Sequence, residues 1–101
     1  MVRVLVLRAV FDKVKRNQDH LGWLNDAKDV LEVNPFAGDK VSRRLTPGRY
    51  KRRFNVVYVY RYRMPEAYRL IYTLDTSSGV PSCVRVIDFL SHKEYERVFR
   101  Y

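Results

Sequence analysis

A chain of 101 residues, 47% hydrophobic and 31% charged, is sized for a single domain over residues 1–101, because two cores would each fall near the size at which small folds need metals or disulfides. Its one cysteine, Cys83, excludes an internal disulfide framework and a thiolate-rich zinc site. With no apolar run approaching a membrane span and no secretory leader pattern over Met1 to Phe11, the expectation is a cytoplasmic protein.

The net charge of +9 is concentrated in one segment. From Met1 to Asp39 six basic residues balance six acidic ones, and from Met64 to Tyr101 five balance five. The whole excess therefore lies in Lys40, Arg43, Arg44, Arg49, Lys51, Arg52, Arg53, Arg61 and Arg63, a stretch with no carboxylate. Such a patch attracts polyanions and releases their counterions, the electrostatic footprint of nucleic-acid binding. The bland alternative is a solvated loop that maintains solubility.

In chain order, Val2, Val4 and Val6 alternate as a strand would, while Val4, Leu7, Phe11 and Val14 fall at helical spacing. Periodicity alone does not separate the two. From Asp19 to Val33 the apolar positions Trp23, Leu24, Ala27, Val30 and Leu31 recur at intervals of three and four and predict an amphipathic helix. Asn34-Pro35 ends it, and Gly38 continues the break. The connection through Thr46-Pro47-Gly48 carries most of the basic residues and shows no period, so it reads as a loop. Val56 to Tyr62 and Tyr68 to Leu74 are β-branched and aromatic and predict a hairpin around Met64-Pro65-Glu66-Ala67. Cys83 to Leu90 adds a third strand, and Ser91 with Glu94 is a capping box before a short terminal helix. The expected fold is α+β, with N-terminal helices packed on one face of a small, twisted, mainly antiparallel sheet.

Alternation places Tyr58, Tyr60 and Tyr62 on one face of the first hairpin strand and Val59, Arg61 and Arg63 on the other. On the second strand Tyr68, Leu70 and Tyr72 form the apolar set, opposite Arg69, Ile71 and Thr73. A register of Tyr60 across from Leu70 and Tyr62 across from Tyr68 aligns the apolar sets and sets Arg61 opposite Arg69. Like charges so placed repel by about 1 kcal/mol in water, which a phosphate held between their planar donor forks would relieve. The competing reading is that the arginines decorate an exposed sheet face.

After the last strand, His92 stands where a proton could be passed, or where a residue simply caps the helix. Tyr95, Phe99 and Tyr101 could stack on bases, although Val98 and Phe99 at this spacing suit anchors to the core. Metal-ligand spacing, glycine-rich phosphate loops and nucleophile elbows are absent from the sequence, so neither a metal nor another cofactor is expected.

The run Asn34-Pro35-Phe36-Ala37-Gly38, the strands Tyr60-Arg61-Tyr62-Arg63 and Tyr68-Arg69-Leu70-Ile71-Tyr72, and the closing Ser91-His92-Lys93-Glu94-Tyr95 together resemble a RelE/ParE-superfamily toxin of a type II toxin–antitoxin pair over nearly the whole chain. The resemblance implies an N-terminal strand and two helices on a small curved, mainly antiparallel sheet with a short C-terminal helix. It implies a ribosome-dependent messenger RNA endoribonuclease of the RelE branch that inhibits translation. The alternatives are a ParE-like inhibitor of DNA gyrase and a non-catalytic RNA-binding protein. The implied partners are an acidic antitoxin, the ribosome and messenger RNA.

By position, Arg69, His92, Lys93 and Tyr101 are the implied catalytic residues. Arg61, Arg63, Arg49, Lys51, Arg52, Arg53 and Tyr95 are the expected RNA contacts. Many RelE-type enzymes carry a tyrosine where this chain has Phe99. A phenyl ring cannot carry a proton, which leaves Tyr95 or Tyr101 to substitute, or the activity reduced or lost.

Overall fold

A computed structural model gives the fold over residues 1–77 and 79–100. The opening residues form strand β1 (Arg3–Val6) and then helix α1 (Arg8–Val14), so both periodicities of the N-terminus are present in succession. Helix α2 (Gln18–Val33) follows, its first turn capped by the Asn17 side chain, which accepts from the backbone N–H groups of Asp19 and His20. Leu24, Ala27 and Leu31 are its buried stripe; Val30, expected among them, is exposed.

Two elements stand where the sequence reads as an aperiodic connection: strand β2 (Asp39–Lys40) and helix α3 (Gly48–Phe54). Two residues and seven residues are too short to display a period. α3 buries only Tyr50, and it stops at Asn55, which takes the left-handed conformation. The remaining elements are β3 (Tyr60–Arg63), β4 (Arg69–Asp75), β5 (Cys83–Leu90) and α4 (His92–Phe99). The fold is α+β: one five-stranded sheet in the order β1-β5-β4-β3-β2, antiparallel except for the parallel β1–β5 pair. Among the described residues no helix is long and apolar enough to cross a membrane.

The hairpin register differs from the expected one by two residues. Tyr60 pairs with Tyr72, Tyr62 with Leu70, Arg61 with Ile71 and Arg63 with Arg69. A shift of two keeps every side chain on its expected face and changes only the partners. The turn explains it. Pro65, with its fixed φ, starts the turn, so Met64 is still paired and its N–H donates to the Tyr68 carbonyl at 2.9 Å. Glu66 and Ala67 then complete the reversal at φ 57° and 62°.

Both sheet faces are covered. α1 and α2 close the first over Tyr60, Leu70, Tyr72, Val84, Val86 and Phe89, as expected. On the second face, expected to carry exposed arginines, α3 and α4 enclose a smaller core of Val59, Ile71, Ile87, Leu90, Tyr95 and Phe99. A bulge in the β4–β5 pairing leaves Ile87 without a cross-strand partner and changes the phase of β5, so Phe89 faces the first core and Leu90 the second.

The Tyr72 hydroxyl joins the end of α2 to the sheet. It donates to the Pro35 carbonyl and accepts from the Gly38 N–H, each at 2.9 Å, while its ring stacks on Tyr60. Burial raises its pKa to about 12 despite the opposing Gly38 hydrogen bond, so the donor proton is retained at neutral pH. Gly38 is held so close that an added Cβ would lie 2.6 Å from the Arg61 carbonyl oxygen and 2.8 Å from the Tyr72 hydroxyl.

Tyr72→Phe leaves two buried backbone groups unpaired and is expected to lower stability by about 1–3 kcal/mol in urea unfolding, with the slope unchanged. The glycines are expected to respond with opposite signs. Gly22→Ala, on an exposed turn of α2 with no atom within 4 Å, is expected to raise the urea midpoint by the equivalent of about 0.5–1 kcal/mol. Gly38→Ala is expected to lower it, because backbone must move.

Candidate nucleic-acid interface

Arg61 on β3 and Arg69 on β4 leave the second sheet face where α4 crosses it, and both meet Tyr95. The Arg61 guanidinium carbon lies 5.9 Å from the Tyr95 ring centroid and that of Arg69 5.4 Å. An Arg61 Nη1 group also donates to the Tyr95 hydroxyl. The negative face of the ring and the hydroxyl oxygen offset part of the repulsion between the two cations, each such contact being worth about 0.5–2 kcal/mol. An Arg69 Nη1 donates to the Tyr68 carbonyl at 3.2 Å, which fixes the base of its fork.

Arg63 lies directly across from Arg69 in the register, but it extends to the rim. Its Nε is 4.0 Å from an Asp39 carboxylate oxygen, with both side chains exposed. That pair contributes little to stability. Arg61 and Arg69 thus form the inner pair of the expected trio and Arg63 its outer member.

Tyr95 is 7% exposed. Its ring stacks on Phe99 with centroids 4.6 Å apart, so it serves the site as a buried support beneath the arginines rather than as a platform for a base. Leu90 is the cross-strand partner of Arg69. His92 and Lys93 therefore leave the sheet two and three residues past the position facing Arg69, as the first residues of α4. Both are exposed. The His92 Nε2 lies 2.8 Å from a Glu96 carboxylate oxygen, one helical turn on. Tyr101 lies outside the described residues.

The basic residues of α3 gather elsewhere. Arg49 and Arg53 line a cleft of about 360 Å³ with Lys13, Tyr50 and Asp88. Arg52 lines another with Phe99 and α4. Lys51 is partly covered on the same helix. Two interactions that pair distance in sequence hides hold these helices in place. The buried Tyr50 hydroxyl donates to Asp88 on β5 at 2.7 Å, and burial and then the adjacent Asp88 charge push its pKa up. The Lys13 ammonium on α1 reaches the Phe89 carbonyl at 2.6 Å and the Glu94 carboxylate at 3.1 Å. His20 on α2 belongs to an aromatic cluster with Trp23, Tyr68 and Phe89. Among the described residues no group of three or more metal-ligating side chains is assembled.

No protein-family model, curated protein or solved structure matches the chain.

The capping box at the start of α4 is complete: Ser91 Oγ accepts from the Glu94 N–H at 3.2 Å, and the Glu94 carboxylate accepts from the Ser91 N–H at 2.9 Å. Burial raises the Glu94 pKa, but the Ser91 N–H and the Lys13 ammonium outweigh it, and the carboxyl lies below its ordinary range. A carboxylate with a depressed folded pKa stabilises the fold above its unfolded pKa of about 4.3 and loses that contribution as pH falls through the folded value. Glu94→Ala is therefore expected to cost about 1 kcal/mol at neutral pH. The gap from the parent is expected to narrow below about pH 4, as measured by urea unfolding across pH.

Proposed function

We propose that the chain is the toxin of a RelE-like toxin–antitoxin pair, an endoribonuclease that cleaves messenger RNA on the ribosome in the cytoplasm and is restrained by an acidic antitoxin. The observation that carries the reading is the meeting of Arg61 and Arg69, from adjacent strands, on the single ring of Tyr95, with Arg63 across from Arg69 at the rim. Two planar donor forks so placed suit a phosphodiester, whose non-bridging oxygens accept them in pairs.

In the reaction, a ribose 2′-oxygen attacks the adjacent phosphorus and the bond to the 5′-oxygen of the next nucleotide breaks, leaving a cyclic phosphate and a 5′-hydroxyl. Arg69 and Arg61 hold the phosphate and oppose the charge that grows on its oxygens. His92, oriented by Glu96, takes the proton from the 2′-hydroxyl, and Lys93 supplies one to the departing 5′-oxygen. The ribosome fixes the RNA conformation, so the isolated protein is slow on free RNA. The basic face gives an acidic antitoxin its surface.

One observation favours a second reading. Phe99 is buried beside Tyr95 and has no proton to give, which suits a binding-only inhibitor of DNA gyrase of the ParE type. Purified protein on programmed ribosomes separates the two. Arg69→Ala is expected to lower the cleavage rate by about 10²–10³-fold, and Lys28→Ala on α2 to leave it unchanged. Cleavage indifferent to Arg69→Ala overturns the site, and inhibition of gyrase supercoiling without RNA cleavage makes the second reading correct.

A further inference from the structure

A second concentration of arginine lies at the far end of α4. Arg44 from the turn after β2, Arg49 and Arg52 from α3, and Arg97 and Arg100 from the end of α4 line a groove of about 570 Å³ that includes Phe99 and no acidic residue. These residues come from two segments far apart in the chain, so local sequence composition does not account for their convergence. Among the described residues none of the five forms an ion pair. The carboxylates of the adjoining cavity, Asp88 and Glu94, are engaged by Tyr50 and by Lys13 with Ser91.

The Arg52 guanidinium folds back over Gly48, its Nη1 2.8 Å from where a Cβ would stand, along the wall of the groove. Five cations around a concave surface focus a positive potential, and guanidinium forks favour phosphate. Phe99 connects the groove to the first site. It stacks on Tyr95, which carries Arg61 and Arg69. α4 rises about 1.5 Å per residue, so four residues span about 6 Å. The groove thus begins about one helical turn along α4 from the ring that carries the arginine pair.

We propose that this groove is a second RNA-backbone site, taking the phosphates that flank, on the same single strand, the one held by Arg61 and Arg69. The proposal deepens the reading of that pair as an RNA site and rests on it. Here the RNA path leaves the arginine pair along α4 and enters the cleft between α3 and α4.

The test is fluorescence anisotropy of the full chain with a labelled uridylate dodecanucleotide, titrated over a range of salt. Each phosphate contact on a single strand contributes about 0.7 to the slope of log affinity against log salt. The triple variant Arg44→Gln/Arg52→Gln/Arg100→Gln is expected to lower the slope by about 2. The single variants Arg52→Gln and Arg100→Gln are each expected to lower it by about 0.7. Arg3→Gln/Arg8→Gln/Lys28→Gln, an equal charge loss on β1, α1 and α2, is expected to leave the slope unchanged. Equal losses in the groove and control triples, or a groove variant with the parent slope, overturn the proposal. Circular dichroism melting confirms folding, and the single variants decide the matter if the triple variant does not fold. Ribosomal cleavage by the same preparations keeps the two readings apart. A parent without cleavage whose groove variants lose slope retains the groove and drops the nuclease. A parent that cleaves and whose groove variants keep the slope does the reverse.

Discussion

The hydroxyl of Tyr72 binds together two parts of the chain that would otherwise be independent. As a donor to Pro35 and an acceptor from Gly38, it anchors the segment leaving α2 to the middle of β4. Its ring packs flat on Tyr60 of β3, with centroids 5.2 Å apart. That anchor delivers Asp39 and Lys40 to the edge of β3 as its hydrogen-bonded neighbours, and it presses Gly38 against the Arg61 carbonyl. The backbone that carries Arg61 is therefore held from one side by β4 and from the other by the end of the α2 connection. The Asn34-Pro35-Phe36-Ala37-Gly38 motif thus has a structural meaning. Asn34 Oδ1 accepts from the Phe36 N–H, proline stops the helix, its carbonyl accepts the hydrogen bond of the Tyr72 hydroxyl, and glycine permits the close approach.

From this anchor the division of labour between the sheet faces follows. With Tyr60, Leu70 and Tyr72 committed to the α1–α2 side, alternation forces Arg61, Arg63, Arg69 and Ile71 to the other. Only part of that second face is hydrophobic enough to bury. Val59, Ile71 and Ile87 occupy it beneath α3 and α4, and the arginines emerge where this small core ends. Tyr95 stands at the boundary. Its ring seals the core against Phe99, and its hydroxyl and π-face receive the first cations outside it. A guanidinium suits this position because it stacks flat and keeps donors pointing outward, whereas an ammonium would have to choose between ring and water.

How much of this was legible follows from the physics of each element. The face assignment of the hairpin was readable, because period-two alternation over Tyr58 to Arg63 and Tyr68 to Leu74 is a local property. The partner assignment was not. A shift by two leaves the pattern intact, and the choice fell to Pro65 and two positive-φ residues, neither of them glycine, whose geometry composition does not reveal. The capping box at Ser91 was readable because its two hydrogen bonds span three residues. α3 was hidden by its brevity and its four basic residues, since it is held by the distant Tyr50–Asp88 contact. The same limit applies to the site. Arg61 and Arg69 could be placed on one face by counting. That Tyr95 would be their common support, and that Arg97 and Arg100 would meet Arg44 and Arg52, required knowing how α4 crosses the sheet.

The distribution of acids completes the electrostatic argument. Several carboxylates of this chain have structural duties: Asp88 on Tyr50, Glu94 on Lys13 and the α4 cap, Asp12 on Lys15, Asp75 on the Ser77 N–H of its turn. Acids so engaged stabilise individual joints, and Asp39 meets Arg63 only at the rim, at 4.0 Å. The five arginines that line the groove between α3 and α4, with no acid among its lining, repel one another in the folded chain. Any polyanion that fits this region relieves the repulsion only in the folded state, where the arginines converge, and so binds it in preference to the unfolded chain. Binding and folding are thereby coupled. On the proposed reading, the charge arrangement that recruits an RNA strand also makes an acidic partner a stabiliser of the fold, with both effects weakening together as salt rises.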